Sequence, residues 1–285
     1  MNERRARISE IFLSIEGEGP YTGRPTLFIR FFGCNFTCSG FNNPNGDVIV
    51  YSKEQVKDKF QYSKGCDSAY SWHPNFKDQA RFYTVDDLVS MIDAFKRKHL
   101  GDRFNGNPFN PILCFTGGEP MLYQEFIADF LNTSYAYDNF SNSHLLFESN
   151  GSLAPTDNLL ETLQNYGVTW SFSPKLSASG EPWEKAIRPE VYTHTSWHNA
   201  VYLKFVTDGS EEMLAEIEKA VAEINAVLIE DNRSITASQI WLMPMGTTKE
   251  QQEAIQRKVA QQAINHGYNF CARVHVWVFD NEIGT

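Results

Sequence analysis

Pro111-Ile112-Leu113-Cys114-Phe115-Thr116-Gly117-Gly118-Glu119-Pro120 decides the fold of this chain. An apolar run too short for a helix stops at two glycines, and Tyr123 to Leu131 then carries a helical pattern. The unit is strand, tight turn, helix. It recurs on both sides. Upstream, Thr26 to Phe32 reads as a buried strand ending at Gly33-Cys34. Thr84 to His99 reads as a helix with Leu88, Met91, Ile92 and Phe95 on one face, and Thr84 with Asp87 resembles a capping box. Downstream, strand Leu145 to Glu148 runs into Ser149-Asn150-Gly151 and precedes helix Asp157 to Tyr166. Strand Val168 to Phe172 ends at Ser173-Pro174-Lys175. Strand Val201 to Val206 pairs with helix Glu211 to Leu228, and Gln239 to Met243 with Lys249 to His266. Ala272 to Phe279 alternates at the end.

Strands that alternate with helices predict a parallel sheet. About six such units are too few for a closed eight-stranded barrel and suit a partial one, a (β/α)6 TIM-like barrel. Function in such folds gathers at the C-terminal ends of the strands. Those ends carry Gly33-Cys34, Thr116-Gly117-Gly118-Glu119, Glu148-Ser149-Asn150-Gly151 and Ser173-Pro174-Lys175, so four polar segments are expected at one rim. Residues 39–80 break the rhythm and read as an insertion folded over that rim, within a single domain spanning 1–285.

The 285 residues are 42% hydrophobic and 21% charged, an ordinary globular composition, with a net charge of -10. That charge argues against a broad basic face for nucleic acid. No stretch reaches the roughly 18 apolar residues of a membrane helix, and the N-terminus lacks an apolar signal core. The expected location is cytoplasmic. There the five cysteines are reduced, and a cysteine cluster reads as metal-binding or catalytic. Cys34 and Cys38 are separated by three residues in a turn-rich setting, and 27 residues separate Cys38 from Cys66. Thiolates suit an iron-sulfur cluster and zinc alike, with His73 available as a fourth zinc ligand. Cys114 and Cys271 neighbour strands and read as small core residues.

Gly33-Cys34-Asn35-Phe36-Thr37-Cys38 followed by Cys66-Asp67-Ser68 resembles the three-cysteine motif of the radical S-adenosylmethionine (SAM) enzymes, with a much longer second spacing. Ile11 to Gly19, Thr22-Gly23-Arg24-Pro25, Phe28-Ile29-Arg30, Phe115 to Pro120, Phe147 to Gly151 and Ser173-Pro174-Lys175 resemble, in order, segments of the 7-carboxy-7-deazaguanine synthase (QueE) family. The likeness runs from about residue 8 to 206. The family commonly has Gln where Glu16 stands, and Arg273-Val274-His275-Val276-Trp277 departs from its usual C-terminus.

The resemblance implies a 4Fe-4S cluster on Cys34, Cys38 and Cys66, with one iron left open to chelate SAM. It implies SAM contacts from Gly117, Gly118, Glu119, Glu148, Ser149, Asn150, Ser173, Pro174 and Lys175. It implies a pterin substrate, 6-carboxy-5,6,7,8-tetrahydropterin, contacted by Ile15, Glu16, Gly17, Glu18, Arg30 and Thr116. Hydrogen abstraction at C6, ring contraction and loss of ammonia would give 7-carboxy-7-deazaguanine, for queuosine-type biosynthesis. Mg²⁺ would sit at Ser68. An external flavodoxin- or ferredoxin-type electron donor and a homodimer complete the implied picture. Plainer readings stand beside these. Gly117-Gly118 also serves a simple turn, with room for a close SAM approach because glycine has no Cβ. Glu119 also serves as a helix cap, Ser68 as a turn cap and Arg30 as an ordinary ion-pair partner. Two rival functions remain: another radical SAM enzyme such as a glycyl-radical activase, whose partner would meet the 39–80 insertion, and a zinc-stabilised binding module without catalysis.

Overall fold

Apolar runs become strands wherever a second strand can cover their backbone. The structure is a computed structural model that describes residues 3–56, 62–100, 111–195, 200–280 and 282–284. Nine strands form one sheet: β1 (Ala6–Ile15), β2 (Pro25–Phe31), β3 (Arg81–Tyr83), β4 (Ile112–Gly117), β5 (His144–Ser149), β6 (Gly167–Phe172), β7 (Ala200–Thr207), β8 (Ile240–Pro244) and β9 (Asn269–Phe270). Their order is β3-β1-β2-β4-β5-β6-β7-β8-β9. β1 runs antiparallel to β2 and β3, whereas every pairing from β2 to β9 is parallel. The helices are α1 (Val85–Leu100), α2 (Gln124–Leu131), α3 (Ser134–Phe140), α4 (Asp157–Leu163), α5 (Trp183–Ala186), α6 (Pro189–Thr195), α7 (Glu211–Leu228), α8 (Lys249–His266) and α9 (Val274–Phe279). The six longer parallel strands and their crossovers make the expected partial barrel.

Register sorts the side chains. Leu27, Ile29, Phe31, Leu113, Phe115, Leu145, Phe147, Trp170, Phe172, Leu203 and Phe205 share the face that packs under the helices in one apolar core. The opposite, concave face has two levels. Phe12, Phe28, Ile112, Cys114, Leu146 and Tyr202 form an apolar layer. Above it, one pleat further along the strands, stand Arg30, Thr116, Glu148, Ser171 and Lys204. Because side chains alternate with period two, the strands that build the core also build a polar bowl.

Two segments close the bowl. The connection from β1 to β2 enters from the N-terminal end of the parallel strands. Tyr21 Oη lies 2.8 Å from Thr169 Oγ1, and Gly19, with φ 66°, sits against the Tyr202 phenol, where a Cβ would lie 2.9 Å from Oη. The segment after β9 crosses from the other side, its Val274 N donating to Gly17 O at 2.9 Å. The alternation at 272–279 is therefore not a strand. β9 pairs for only two residues, and the chain then turns into the short helix α9, on which Val276 alone is fully buried. Among the described residues no helix is long and apolar enough to cross a membrane.

Candidate active site

The loop after β2 carries Cys34 and Cys38. Gly33 N donates to Ser71 O, and Glu119 N donates to Gly33 O, both at 2.8 Å. Cys38 adopts φ 47°. It is held there by Glu181, whose Oε1 accepts from Thr37 N at 2.6 Å and from Cys38 N at 2.9 Å. Asn35 is fixed from the opposite side, accepting from Asn150 Nδ2 at 2.9 Å and donating to Ser152 Oγ at 2.8 Å. Residues 39–80, of which 57–61 lie outside the described residues, pack Tyr51, Val56, Tyr62, Ala69, Phe76 and Ala80 in one apolar cluster with Phe32. They return Cys66 to the first pair. Cys34, Cys38 and Cys66 pack in one cluster with Phe36, Phe41 and Ala186, and all three line one cavity at the rim.

Burial pushes the Cys34 thiol up to about 12, with Glu119 adding to the effect, and the Cys66 thiol up to about 11, with Asp67 adding. Burial raises Cys38 as well. Bare thiolates are costly here, so these are not poised nucleophiles. Metal ligation deprotonates thiols, and Lys175 opposes the rise at all three. The donor set suits an iron-sulfur cluster. Among the described residues no three or more His, Cys, Asp or Glu form a group suited to a single metal ion. His73, the proposed zinc ligand, packs at a tilt against Tyr51 with ring centroids 4.9 Å apart, while its Nδ1 accepts from Asn75 N. Cys114 and Cys271 are buried thiols of the interior, as read.

The Gly117-Gly118 turn lies in the cavity wall, but its missing Cβ atoms leave room for protein. A Cβ on Gly117 would lie 2.2 Å from Phe31 O, and one on Gly118 would lie 2.1 Å from Gly33 O. The glycines seat β4 against the cysteine loop, and both line the cavity. Glu119 is likewise a wall residue. It has no exposed surface, and its oxygens accept from Met121 N, Ser149 Oγ and Asn150 N at 2.8 to 3.0 Å. Its carboxylate does not line the cavity, and neither does Pro174; Ser149, Asn150, Ser173 and Lys175 do. Lys175 Nζ donates to Ser173 Oγ at 2.9 Å.

Glu148, expected with the SAM residues, stands in the bowl. Its Oε2 accepts from Thr116 Oγ1 at 2.8 Å and its Oε1 from Lys204 Nζ at 3.4 Å. Lys204 also donates to Glu18 Oε2, and Glu18 Oε1 accepts from Arg273 Nε at 3.0 Å. Burial works against ionising Glu18, but Lys204 and Arg273 outweigh it and hold its carboxyl well below the usual range. Arg273 Nη2 reaches Asp67 Oδ2 at 3.0 Å. His275 packs on Gly17, where a Cβ would lie 1.8 Å from its Nδ1, and burial, then Arg273, lowers it to about 4. Ile15, Glu16 and Gly17 line the same floor. Arg30 donates from Nε to Glu10 Oε1 at 2.7 Å and lies over the rings of Phe12 and Tyr70. Its terminal nitrogens have no acceptor among the described residues, so one guanidinium edge faces the cavity.

The set does not fit a magnesium ion at Ser68. The Ser68 hydroxyl donates to Asp67 Oδ1, and the guanidinium of Arg273 already neutralises that carboxylate. Glu181 and Lys204 were not singled out in the sequence, and Asp67, Arg273 and His275 stood there only within quoted segments, without a role. Lys204 alone announces itself, as a lone charge inside the apolar strand Val201 to Val206.

No family model matches the chain. Protein relatives do. A 7-carboxy-7-deazaguanine synthase from Halobacterium salinarum is 28% identical over 96% of this chain and 90% of its own length. Counterparts from Rhodopirellula baltica (27%, over 100% and 90%) and Pyrobaculum aerophilum (25%, over 98% and 97%) align equally fully. The chain is 7-carboxy-7-deazaguanine synthase-like. A crystal structure of QueE from Escherichia coli shares the fold, with a TM-score of 0.55 at 17% identity over 95% of both chains. Alignment of QueE-like chains end to end takes in both the cysteine loop and the Arg273 segment. The QueE-like family implies a 4Fe-4S cluster and SAM, and the thiol-lined rim fits both.

Proposed function

We propose that this protein is a radical SAM lyase that converts 6-carboxy-5,6,7,8-tetrahydropterin to 7-carboxy-7-deazaguanine with loss of ammonia. The observation that carries this reading is one cavity with three thiols at its rim and a charged floor facing them. When bound, the reduced cluster and SAM supply a carbon radical able to abstract hydrogen. The chain's own groups bind, orient and exclude water. Cys34, Cys38 and Cys66 would hold the cluster, with Lys175 offsetting the thiolate charge. Ser149, Asn150 and Ser173 would meet the polar parts of SAM. Arg30 would take the substrate carboxylate on its unpaired edge, a geometry matched to that fork. The Glu16-to-Glu18 loop, Thr116 and Glu148 would face the ring system. His275, neutral at physiological pH, screens the floor from the side of α9.

The family likeness also suggests an external one-electron donor of flavodoxin or ferredoxin type, a homodimer, a cytoplasmic setting and a queuosine-type pathway. No observation favours the glycyl-radical activase or the zinc module. The test is mass spectrometry after anaerobic reconstitution with SAM, dithionite and the carboxypterin. The expected product is 7-carboxy-7-deazaguanine. Deoxyadenosine released without any deazapurine would contradict the substrate.

A further inference from the structure

Among the described residues, the Glu16 carboxylate of the floor makes no ion pair. Glu16 is 2% exposed and follows directly on β1, pinned by two backbone hydrogen bonds: Glu16 N to Arg24 O at 2.8 Å and Gly23 N to Glu16 O at 2.7 Å. Its Oε1 accepts from Glu18 N at 3.1 Å. Its Oε2 is buried and has no hydrogen-bond partner among the described residues. The surrounding charges are committed elsewhere. Lys204 serves Glu18 and Glu148, Arg273 serves Glu18 and Asp67, and Arg30 serves Glu10. A charge on Glu16 would thus stand beside the Glu18 and Glu148 carboxylates, with Lys204, already shared between those two, as the opposing cation.

We infer that Glu16 is a neutral carboxylic acid and that its Oε2–H donates a hydrogen bond to an acceptor atom on the heterocyclic edge of the substrate. This deepens the proposed function and rests on it for the identity of the heterocycle. A buried unpaired hydroxyl is destabilising, so a carbonyl oxygen or an unprotonated ring nitrogen arriving there gains a partner the protein does not provide. A substrate with an N–H at that position would meet another donor and be rejected. The electrostatics agree. Burial, then Glu148, pushes the Glu16 carboxyl well above the usual range, with Lys204 opposing and Glu18 adding. The other titratable groups facing it are Cys114 from β4, Tyr202 from β7 and Cys271 after β9, all with raised pKa values and hence neutral. His275 lies against Gly17.

The sign of the pH effect follows. Below its raised pKa Glu16 donates; above it the group is an anion and the donor is gone. The experiment measures equilibrium binding of the carboxypterin to the SAM-loaded protein as a function of pH for wild type, Glu16→Gln and Glu16→Ala. Wild-type affinity is expected to fall about tenfold per pH unit above the Glu16 pKa. Glu16→Gln, whose amide keeps an N–H donor at every pH, should show no such limb and should bind roughly tenfold or more tightly than Glu16→Ala. A limb unchanged in Glu16→Gln, or equal weakness of the Gln and Ala variants, would overturn the inference. Infrared difference spectra of substrate-free wild type against Glu16→Gln provide a readout independent of substrate. A deuterium-sensitive protonated-carboxyl band is expected, and its absence at neutral pH sinks the neutral acid. Should the band appear while no variant binds the pterin, the acid stands and the pterin reading fails.

Discussion

Glu119 illustrates how a motif residue can act through its neighbours. Three buried donors converge on its carboxylate, from Met121, Ser149 and Asn150, tying the end of β4 to the end of β5. Glu119→Ala should therefore lower stability by several kcal/mol, at about 1–3 kcal/mol per orphaned donor, and the melting temperature by roughly 10 °C. Calorimetry checks this; a variant with unchanged melting and weakened SAM affinity would place the carboxylate on the cofactor instead. Glu16 and Glu18 leave opposite marks on stability. The folded chain keeps a proton on Glu16 that the unfolded chain releases above the ordinary glutamate range. Stability accordingly falls as pH rises through that window, up to Glu16's raised value. Glu18, lowered chiefly by Lys204 against its burial, contributes stability above the ordinary range, which is lost as pH falls through its lowered value. Denaturant titrations of Glu16→Gln should show an advantage over wild type that grows with pH by up to about 1.4 kcal/mol per unit; an advantage independent of pH would contradict the assignment. The sequence made Glu119 visible as a cap of the turn that follows it, which its bond from Met121 N bears out, and Glu16 through its motif; the tie from Glu119 to β5 and the missing ion pair of Glu16 were not visible, because both depend on which donors and cations the fold brings near.

Strands and long helices were legible because their patterns are local. α7 and α8 have the expected bounds, and α8 carries the reciprocal Thr248–Gln251 capping box and ends at Gly267 with φ 67°. α3 went unread, since seven residues rich in aromatics give too short a window for helical period. α9 went unread because Val274, Val276 and Val278 alternate as a strand does while no neighbouring strand extends far enough to pair with them. The short helix α5 follows Glu181, which spans the gap to the cysteine loop, and Lys185 from α5 pairs with Glu181 Oε2 at 3.1 Å and covers Phe36. Nothing local marks this contact. Glu181→Ala should free Thr37 and Cys38 from their φ-restraining partner and speed iron loss to a chelator several-fold without melting the helices. Gly118→Ala should act on the same loop from β4, since its Cβ would displace Gly33 O. Iron per chain after reconstitution is expected to drop, and full loading of both variants would show that the loop is held by other means.

Across the whole molecule, the rim was legible, and of the floor the Ile15-to-Glu18 loop, Arg30 and Thr116 were named but not the charges that hold them. The strand ends carrying Cys34, Gly117, Ser149 and Ser173 meet as the parallel topology requires. Glu18, Lys204 and Arg273 are 186 and 255 residues apart in their pairings, and meet only because the loop after β1 enters the bowl from its N-terminal end while the last segment folds across. Lys204→Met should leave the half-buried Glu18 and Glu148 without their shared cation and destabilise the chain by about 3 kcal/mol, more than a surface lysine would. The account as a whole depends on Cys66 completing a trio with Cys34 and Cys38 across the insertion and leaving one iron open. Electron paramagnetic resonance of the reduced, anaerobically reconstituted protein, with and without SAM, tests this most directly when wild type is set beside Cys66→Ala. The account predicts a 4Fe-4S signal in wild type that changes when SAM is added, and loss of that signal and response in Cys66→Ala. A Cys66→Ala protein with the same cluster signal and the same response to SAM would contradict it.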